Sequence, residues 1–156
     1  MRVVIQRVKS ARVEVDGCVT GEIGSGLLVL LGVRHGDSED DVKYLVEKTA
    51  HLRIFEDNSG RMNLSVLDAG CSVLVVSQFT LYADTKGGRR PGFSEAAAPG
   101  HADLLYRCFI DTISGIGVPV ATGRFAAMMD VTLVNNGPVT IIIDSEQRGH
   151  NKKIST

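Results

Sequence analysis

Strand patterns outnumber helical patterns along this chain, and that imbalance limits its fold more than any other feature. Residues 11–16, ARVEVD, alternate apolar and charged side chains, which is typical of a half-buried strand, and Asp16-Gly17 then predicts a hairpin turn. The apolar run from Leu27 to Leu31 predicts a strand that is buried on both faces. The alternation breaks between Gln6 and Ser10, so we expect a bulge or bend there.

Four more segments have strand patterns, whereas only two segments have the spacing of an amphipathic helix. The four strand segments are Arg53 to Glu56, Cys71 to Phe79, Met129 to Val134 and Val139 to Asp144. In the first helix, Ser38 and Asp41 resemble a capping box. The apolar stripe behind this cap is Val42, Leu45, Val46 and Thr49.

The second helix begins near Pro99 or Gly100 and ends at Gly115. Its apolar face consists of Leu105, Phe109 and Ile113. Two helices are too few for a doubly wound parallel sheet. The sequence therefore predicts an α+β fold in a single domain: a largely antiparallel sheet, curled towards a barrel, with two main helices packed on it.

Composition is that of a globular domain. Of the 156 residues, 44% are hydrophobic and 22% are charged, which suits one domain with an ordinary core. We expect no membrane association, because the longest apolar run, Leu27 to Leu31, is far shorter than a membrane span. The N-terminal residues also lack the apolar core of a signal peptide.

The cysteines and histidines indicate neither a disulfide framework nor a metal site. Cys18, Cys71 and Cys108 are an odd number at wide spacing, which favours a reducing compartment, and we expect a cytoplasmic protein. The four histidines have no paired ligand spacing, so we expect no metal and no other cofactor. The net charge of −1 argues against a protein that coats nucleic acid nonspecifically.

Polar side chains end the buried strand that begins at Cys71. Ser77 and Gln78 precede Phe79 and Thr80, where the last backbone N–H groups of the strand lose their sheet partners. Such a strand end can offer N–H donors to a carbonyl or to a developing oxyanion. Taken alone, these side chains equally suit an ordinary loop, since no G-x-S-x-G motif and no local base accompanies them.

Two further segments have an unusual composition. Residues 135–140, NNGPVT, lie between two strand patterns and predict a hairpin tip or a tight bend. A cis peptide before the proline would present neighbouring carbonyls as fixed acceptors, whereas a trans-proline turn is the commoner alternative. The glycine-rich loop with Lys86, Arg89 and Arg90 suits phosphate contact, and it equally suits a solvated surface loop.

Four motifs, in this order, resemble those of the D-aminoacyl-tRNA deacylase family. They are SQFTL at 77–81, RRPGF at 89–93, TGRF at 122–125 and NNGPVT at 135–140. The resemblance runs from MRVVIQRV at the start to TIIID at 140–144, although Asn136 and Met128 stand where Asp is often expected. By this resemblance, residues 1–145 form the deacylase domain and residues 146–156 form a polar, mobile tail.

The resemblance implies an enzyme that hydrolyses the ester between a D-amino acid and the 3′-terminal adenosine of tRNA, and that also accepts glycyl-tRNA. Ser77, Gln78, Phe79 and Thr80 then surround the scissile carbonyl as the catalytic residues. Either Thr80 attacks as a nucleophile or the terminal ribose 2′-hydroxyl assists the reaction. The absence of a base near Thr80 in the sequence favours the ribose.

The same resemblance implies a homodimer that binds the 3′ acceptor end of aminoacyl-tRNA. Each subunit places Gly137 and Pro138, as a Gly-cisPro element, in its partner's pocket, where their carbonyls exclude the side chain of an L-amino acid. Arg7 and Met129 are expected to support this element and the pocket. The residues expected to contact acceptor-stem phosphates are Lys86, Arg89 and Arg90.

Two other functions stay open at this point. A noncatalytic RNA- or DNA-binding module would keep the fold without the activity, but the intact SQFT and GPVT motifs and the near-neutral charge count against it. A generic esterase with a Ser-His-Asp triad would require one of the four isolated histidines beside Ser77.

Overall fold

A computed structural model describes residues 1–152, with the side chains of residues 1–148. The strands are β1 Arg2–Val15, β2 Cys18–Ile23, β3 Gly26–Gly32, β4 Phe55–Glu56, β5 Met62–Leu64, β6 Ser72–Ser77, β7 Val120–Thr122 and β8 Asp130–Asp144. The α-helices are α1 Glu39–His51 and α2 Pro99–Gly115. Two 3₁₀ helices span Phe79–Tyr82 and Ser145–Lys152.

Strand β1 is the centre of a six-stranded mixed sheet. It pairs antiparallel with β2, β3 and β8, whereas β3 pairs parallel with β6 and β6 pairs parallel with β7. Parallel neighbours need a crossover connection, and α1 and α2 lie in these two crossovers. The predicted α+β fold, with a curled, barrel-like sheet and two helices packed on it, is confirmed, and each helix accounts for one parallel pair.

The sheet nearly closes because its two end strands approach each other. Strands β2 and β7 stand at opposite ends of the strand order. Gly21 of β2 nevertheless lies against the backbone of Thr122 in β7, so close that a Cβ at Gly21 would be 2.2 Å from the Thr122 carbonyl oxygen. Only a residue without a side chain permits this approach.

Both faces of β3 are buried, as its apolar run predicts. Leu27 belongs to the larger core, which it shares with Leu45 of α1 and Phe109 of α2. Leu28 points to the other face and packs in a smaller core with Leu74 of β6. Full burial of each such side chain is worth roughly 1.5–3 kcal/mol. Because β6 contributes Leu74 to this packing beside β3, the end of β6, which carries the polar residues, is held in one position.

Helix α1 begins, and helix α2 begins and ends, where the sequence predicts. The backbone N–H of Ser38 donates to the Asp41 carboxylate at 2.8 Å, and α2 begins at Pro99 and ends at Gly115. The predicted apolar stripes are buried in both helices. Within the described residues, neither helix combines the length and the hydropathy that a membrane crossing requires.

Four of the predicted strand segments differ from the structure at their boundaries. Only Phe55–Glu56 is extended within the segment predicted at 53–56, and β6 ends at Ser77 rather than at Phe79. The strands predicted at 129–134 and 139–144 are one strand, β8, because β1 is long enough to pair with both of its halves. The irregularity predicted between Gln6 and Ser10 is confirmed by two register shifts in the β1–β8 pairing.

The mobility of the tail at 146–156 stays a prediction. Its first residues follow β8 as the 3₁₀ helix Ser145–Lys152, and Glu146 forms an ion pair with Arg34. Residues 153–156, and the side chains from residue 149 onward, lie outside the described part of the chain.

Candidate active site

The segment Ser77–Thr80 leaves the sheet at the end of β6. Ser77 still pairs with Leu31, and Gln78 N donates to the Leu31 carbonyl oxygen at 2.8 Å. The chain then turns into the 3₁₀ helix Phe79–Tyr82. Because Phe79 is apolar, the sequence pattern extended the predicted strand as far as this residue. Its side chain is nevertheless 57% exposed.

Among residues 1–148, no acceptor pairs with two backbone donors of the 3₁₀ turn. Leu81 N donates to Gln78 O at 3.3 Å, and Ala83 N donates to Thr80 O at 3.1 Å. The N–H groups of Phe79 and Thr80 have no acceptor among residues 1–148, as is usual for the first N–H groups of a helix. Two adjacent free N–H groups on an exposed turn can polarise a carbonyl and stabilise an oxyanion.

The Thr80 hydroxyl has no general base beside it among the described residues. It accepts a hydrogen bond from Gln78 Nε2, an amide donor that cannot take up the threonine proton. No described histidine side chain hydrogen-bonds to Ser77 or Thr80, and the side chain of His150 lies outside the described residues. The described part of the chain therefore gives no support to a Ser-His-Asp triad.

The NNGPVT segment is a bulge within β8, and the hairpin-tip prediction is wrong. The β1–β8 pairing stops at Asn135 and resumes at Thr140, so residues 136–139 stand opposite the single residue Arg7. The Gly137–Pro138 peptide is cis, and both residues are exposed. The bulge therefore presents glycine and proline outward from the sheet.

Arg7 lies beneath this bulge and is only 5% exposed. Its Nε donates to the Asn136 carbonyl oxygen at 3.0 Å, and its Nη1 donates to the Ile54 carbonyl oxygen at 2.6 Å. A buried guanidinium needs such hydrogen bonds to offset its loss of water. Asn136 contributes its backbone to the contact with Arg7, so the departure from Asp at this position does not change that hydrogen bond.

The two principal motifs do not meet within one chain. Strands β1 and β3 lie between β8, which carries Gly137–Pro138, and β6, which leads into Ser77–Thr80. Three inter-strand steps amount to about 14 Å, well beyond contact. The sulfur of Met129 packs against Gly123, whose N–H donates to the Val75 carbonyl oxygen of β6 at 3.2 Å, and the expected support of the Gly137–Pro138 element and the pocket by Met129 stays a prediction.

The basic loop stands beside the end of β6. The three predicted phosphate contacts on it are Lys86, Arg89 and Arg90. Backbone hydrogen bonds in both directions between Asp84 and Gly92, each 2.8 Å long, close the base of the loop. Phe93 follows and packs edge-on against Phe79, with ring centroids 5.0 Å apart. The three cations form no ion pair within the described residues, so their charges are available to a ligand.

Sequence patterns missed two side chains that hold this region in place. Arg2 Nη1 donates to the Leu81 carbonyl oxygen at 3.0 Å, and its guanidinium lies 5.0 Å from the centre of the Tyr82 ring. Tyr106 donates its hydroxyl to the Val75 carbonyl oxygen at 3.0 Å. Arg2 occupies an ordinary polar position of an alternating strand, and Tyr106 belongs to an apolar helical face, so neither pattern marks them.

The tyrosines near the site are unsuited to act as bases. Burial, with the Asp103 carboxylate nearby, raises the pKa of Tyr106 to about 12. Burial, followed by the Asp37 and Asp144 carboxylates, also raises the pKa of Tyr82 well above its usual range. Both phenols therefore stay neutral near pH 7. Among the described residues, no group of three or more His, Cys, Asp or Glu side chains is placed to hold a metal ion.

The sequence matches, over residues 4–144, the family model described as D-Tyr-tRNA(Tyr) deacylase. Curated proteins named D-aminoacyl-tRNA deacylase are similar along nearly the whole chain. The protein from Thermus aquaticus is 57% identical over 152 residues, which are 97% of this chain and 100% of the relative. The protein from Thermomicrobium roseum is 59% identical over 150 residues, which are 96% of this chain and 97% of the relative.

Solved structures share the fold. A structure described as the c-Myc DNA Unwinding Element Binding Protein has a TM-score of 0.88 and 37% sequence identity, covering 92% of this chain and 98% of that one. A structure described as a probable eukaryotic D-amino acid tRNA deacylase has a TM-score of 0.74 at 17% identity, covering 91% of this chain and 97% of that one. The second likeness shows the fold alone.

Proposed function

This chain belongs to the D-Tyr-tRNA(Tyr) deacylase family and is an ester hydrolase of D-aminoacyl-tRNA, and we propose how its residues perform this reaction. We infer that Ser77–Thr80 hold the aminoacyl ester and that Gly137 and Pro138 reject L-aminoacyl-tRNA. The products are the free D-amino acid and tRNA, and glycyl-tRNA is a further substrate. The observation that carries this proposal is the pair of free N–H groups at Phe79 and Thr80.

The two N–H groups polarise the ester carbonyl and stabilise the negative charge that develops on its oxygen. Removal of one oxyanion donor typically costs about 10²–10³-fold in rate, so two fixed donors account for much of the catalysis. An aminoacyl ester is already activated, and holding it against these donors supplies a further large factor through orientation. Ser77 and Gln78 then act by lining the pocket around the acyl group.

The terminal ribose 2′-hydroxyl, rather than Thr80, assists the attack. Water adds to the carbonyl carbon, the bond to the 3′-oxygen breaks, and that oxygen receives a proton that the neighbouring 2′-hydroxyl is placed to relay. A threonine nucleophile needs a base to remove its proton, and Thr80 has only the Gln78 amide donor beside it among the described residues.

Thr80→Ala is therefore expected to keep the turnover of D-tyrosyl-tRNA within about tenfold of the unmodified protein, because its backbone N–H remains and only the hydroxyl is lost. Single-turnover release of tyrosine measures this, with Thr132→Ala, an exposed threonine of β8, as the control. A loss of about a thousandfold in this variant, or an acyl group trapped on Thr80 of the unmodified protein, would assign the attack to Thr80.

We place Gly137 and Pro138 in the pocket of a partner subunit. The two strands between β8 and β6 keep this element away from Ser77–Thr80 of its own chain. A shallow depression beside Thr80 includes Ile142, which is 65% exposed, and this apolar surface suits contact with a second copy. Sedimentation equilibrium is expected to give the mass of two chains, and a monomer that is fully active would refute this arrangement.

Rejection by backbone carbonyls explains a filter that ignores the identity of the D side chain. An L side chain would meet the carbonyls of Gly137 and Pro138, whereas glycine has only hydrogen at that position and passes. Such a site discriminates by a clash with the wrong substrate, not by tight binding of the right one.

The basic loop supplies contacts to acceptor-stem phosphates. The double variant Arg89→Gln with Arg90→Gln is expected to raise KM for D-tyrosyl-tRNA and to flatten its dependence on salt, while kcat changes by less than about twofold. Assays between 50 and 200 mM KCl, roughly the range over which phosphate contacts weaken strongly, measure this. Exposed Arg107 of α2, which pairs with Asp103, provides the matched control as Arg107→Gln. Equal salt dependence in all three proteins would exclude the contact.

The first experiment is release of amino acid from matched D-tyrosyl-, L-tyrosyl- and glycyl-tRNA. Loss from the D and glycyl forms, with the L form spared, is the expected result. Equal hydrolysis of all three would indicate an esterase without a chirality filter.

A noncatalytic nucleic-acid-binding module is the second candidate, because a solved structure with this fold is described as a DNA unwinding element binding protein. The same assay separates the two functions, since a binding module would bind tRNA or DNA but would release no amino acid from any of the three substrates.

A further inference from the structure

The side chain of Asn135 connects both ends of the bulge in β8. Its Oδ1 accepts a hydrogen bond from Val139 N at 3.1 Å, across the four-residue excursion that begins after Asn135. Its Nδ2 donates to Gln6 Oε1 on β1 at 2.6 Å and reaches Thr140 Oγ1 at 3.4 Å. One amide therefore joins the start of the bulge, its end and the neighbouring strand.

These contacts matter because the bulged backbone has left the sheet. Residues 136–139 have no partner in the β1–β8 register, and Gly137, at φ +132°, is exposed. Arg7 holds the first half of the bulge through the Asn136 carbonyl oxygen. Within the described residues, the second half is held at Val139 N by Asn135. Without this attachment, the outward position of Gly137 and Pro138 depends on Arg7 and on the burial of the Val139 side chain, which is 8% exposed.

We propose that Asn135 is a positioning residue that sets where Gly137 and Pro138 stand, and thereby a determinant of the discrimination between D- and L-aminoacyl-tRNA. This inference rests on the proposed function of the Gly137–Pro138 element. Asn135 acts through the bulge and does not touch the substrate. Its loss therefore affects rejection of the L form more strongly than hydrolysis of the D form.

Two nearly isosteric substitutions separate the hydrogen bonds from the volume of the side chain. Asn135→Leu removes all three hydrogen bonds at similar volume. Asn135→Asp keeps the acceptor for Val139 N, and Gln6 can turn its amide to donate to the carboxylate. Leu133→Ala serves as a control, because it removes packing from the same strand, in the smaller core, without touching the bulge.

Each protein is measured in two ways: the ratio of kcat/KM for D- over L-tyrosyl-tRNA, and the rate of hydrogen exchange at the Val139 amide. For Asn135→Leu, we expect the ratio to fall about tenfold or more and exchange to accelerate by a similar factor. For Asn135→Asp, both values are expected to stay near those of the unmodified protein. Leu133→Ala is expected to keep the ratio even though its unfolding midpoint is lowered.

The outcomes distinguish this inference from the proposed function. If the unmodified protein hydrolyses the D and L forms equally, the chirality filter fails and the role of Asn135 fails with it. If the unmodified protein discriminates and Asn135→Leu keeps the same ratio, only the role of Asn135 is overturned. An equal drop of the ratio in Leu133→Ala would also overturn it, because general loss of stability would then explain the effect.

Discussion

Replacing Gly137 with alanine is expected to lower the ratio of kcat/KM for D- over L-tyrosyl-tRNA by about a hundredfold, since shifts near 1 Å in a positioned group have effects of that size. The added methyl group would stand 2.8 Å from Val139 Cγ2 and 3.0 Å from Arg7 Nη2. Gly137 also has φ +132°, a backbone conformation that costs an L-residue about 1–3 kcal/mol. The bulge must therefore shift, and the buried Arg7 cannot yield freely because Ile54 and Asn136 hold it.

The D- and L-tyrosyl-tRNA assay measures this, together with the unfolding midpoint in urea. Gly115→Ala is the control, because a Cβ at that position, at the end of α2, meets nothing within 4 Å. Full activity and an unchanged D/L ratio in Gly137→Ala would show that this element does not form the filter. If both variants lost activity to the same extent, the effect would not be specific to the bulge.

The second large effect is expected at Gly21, where alanine should lower the free energy of unfolding by about 3 kcal/mol or more, the upper range for overpacking. A Cβ there would lie 2.2 Å from the Thr122 carbonyl oxygen and 3.0 Å from Thr122 N. Both neighbours are backbone atoms, so no side chain can rotate away, and β2 must withdraw from β7. That movement opens the barrel beside Gly123, whose N–H donates to the Val75 carbonyl oxygen in β6.

Urea denaturation, with the slope and midpoint fitted together, measures this loss. Gly24→Ala provides a matched control in the turn between β2 and β3, since a Cβ there meets nothing within 4 Å. Equal midpoints for the two variants would mean that the approach of β2 to β7 does not close the sheet. The barrel supports the end of β6, which leads into Ser77–Thr80. Partial loss of deacylase activity is therefore expected to accompany the loss of stability in Gly21→Ala.

Local features were predictable because they depend on neighbours in the sequence. Asp16-Gly17 forms the predicted hairpin, with both φ angles positive, as the tight turn between twisted strands requires. The boundary of β6 was not predictable, because Phe79 is as apolar as a strand residue and only the end of β3 at Gly32 shows where the pairing stops. Likewise, NNGPVT has the composition of a hairpin tip, and only the length of β1 turns it into a bulge within one strand.

The candidate site was likewise predictable from the sequence only in part. The sequence motifs indicated Ser77–Thr80 and Gly137–Pro138, because their polar, glycine and proline residues interrupt apolar strand patterns. No pattern indicated the hydrogen bonds of Arg2 and Tyr106, or the attachment of Val139 by Asn135, since each joins residues that are brought together by pairing or packing.

By itself, the sequence determined the fold class, the start of α1, both ends of α2, the first hairpin and the two motifs, because alternation, capping and turn chemistry act over a few residues. The tertiary structure alone decided that one strand, β8, runs along β1 on both sides of the bulge, that the sheet nearly closes at Gly21, and that two strands separate the Gly137–Pro138 bulge from Ser77–Thr80. The physical reason is that these features depend on register and on close backbone contact between residues distant in the chain, which local side-chain patterns do not encode.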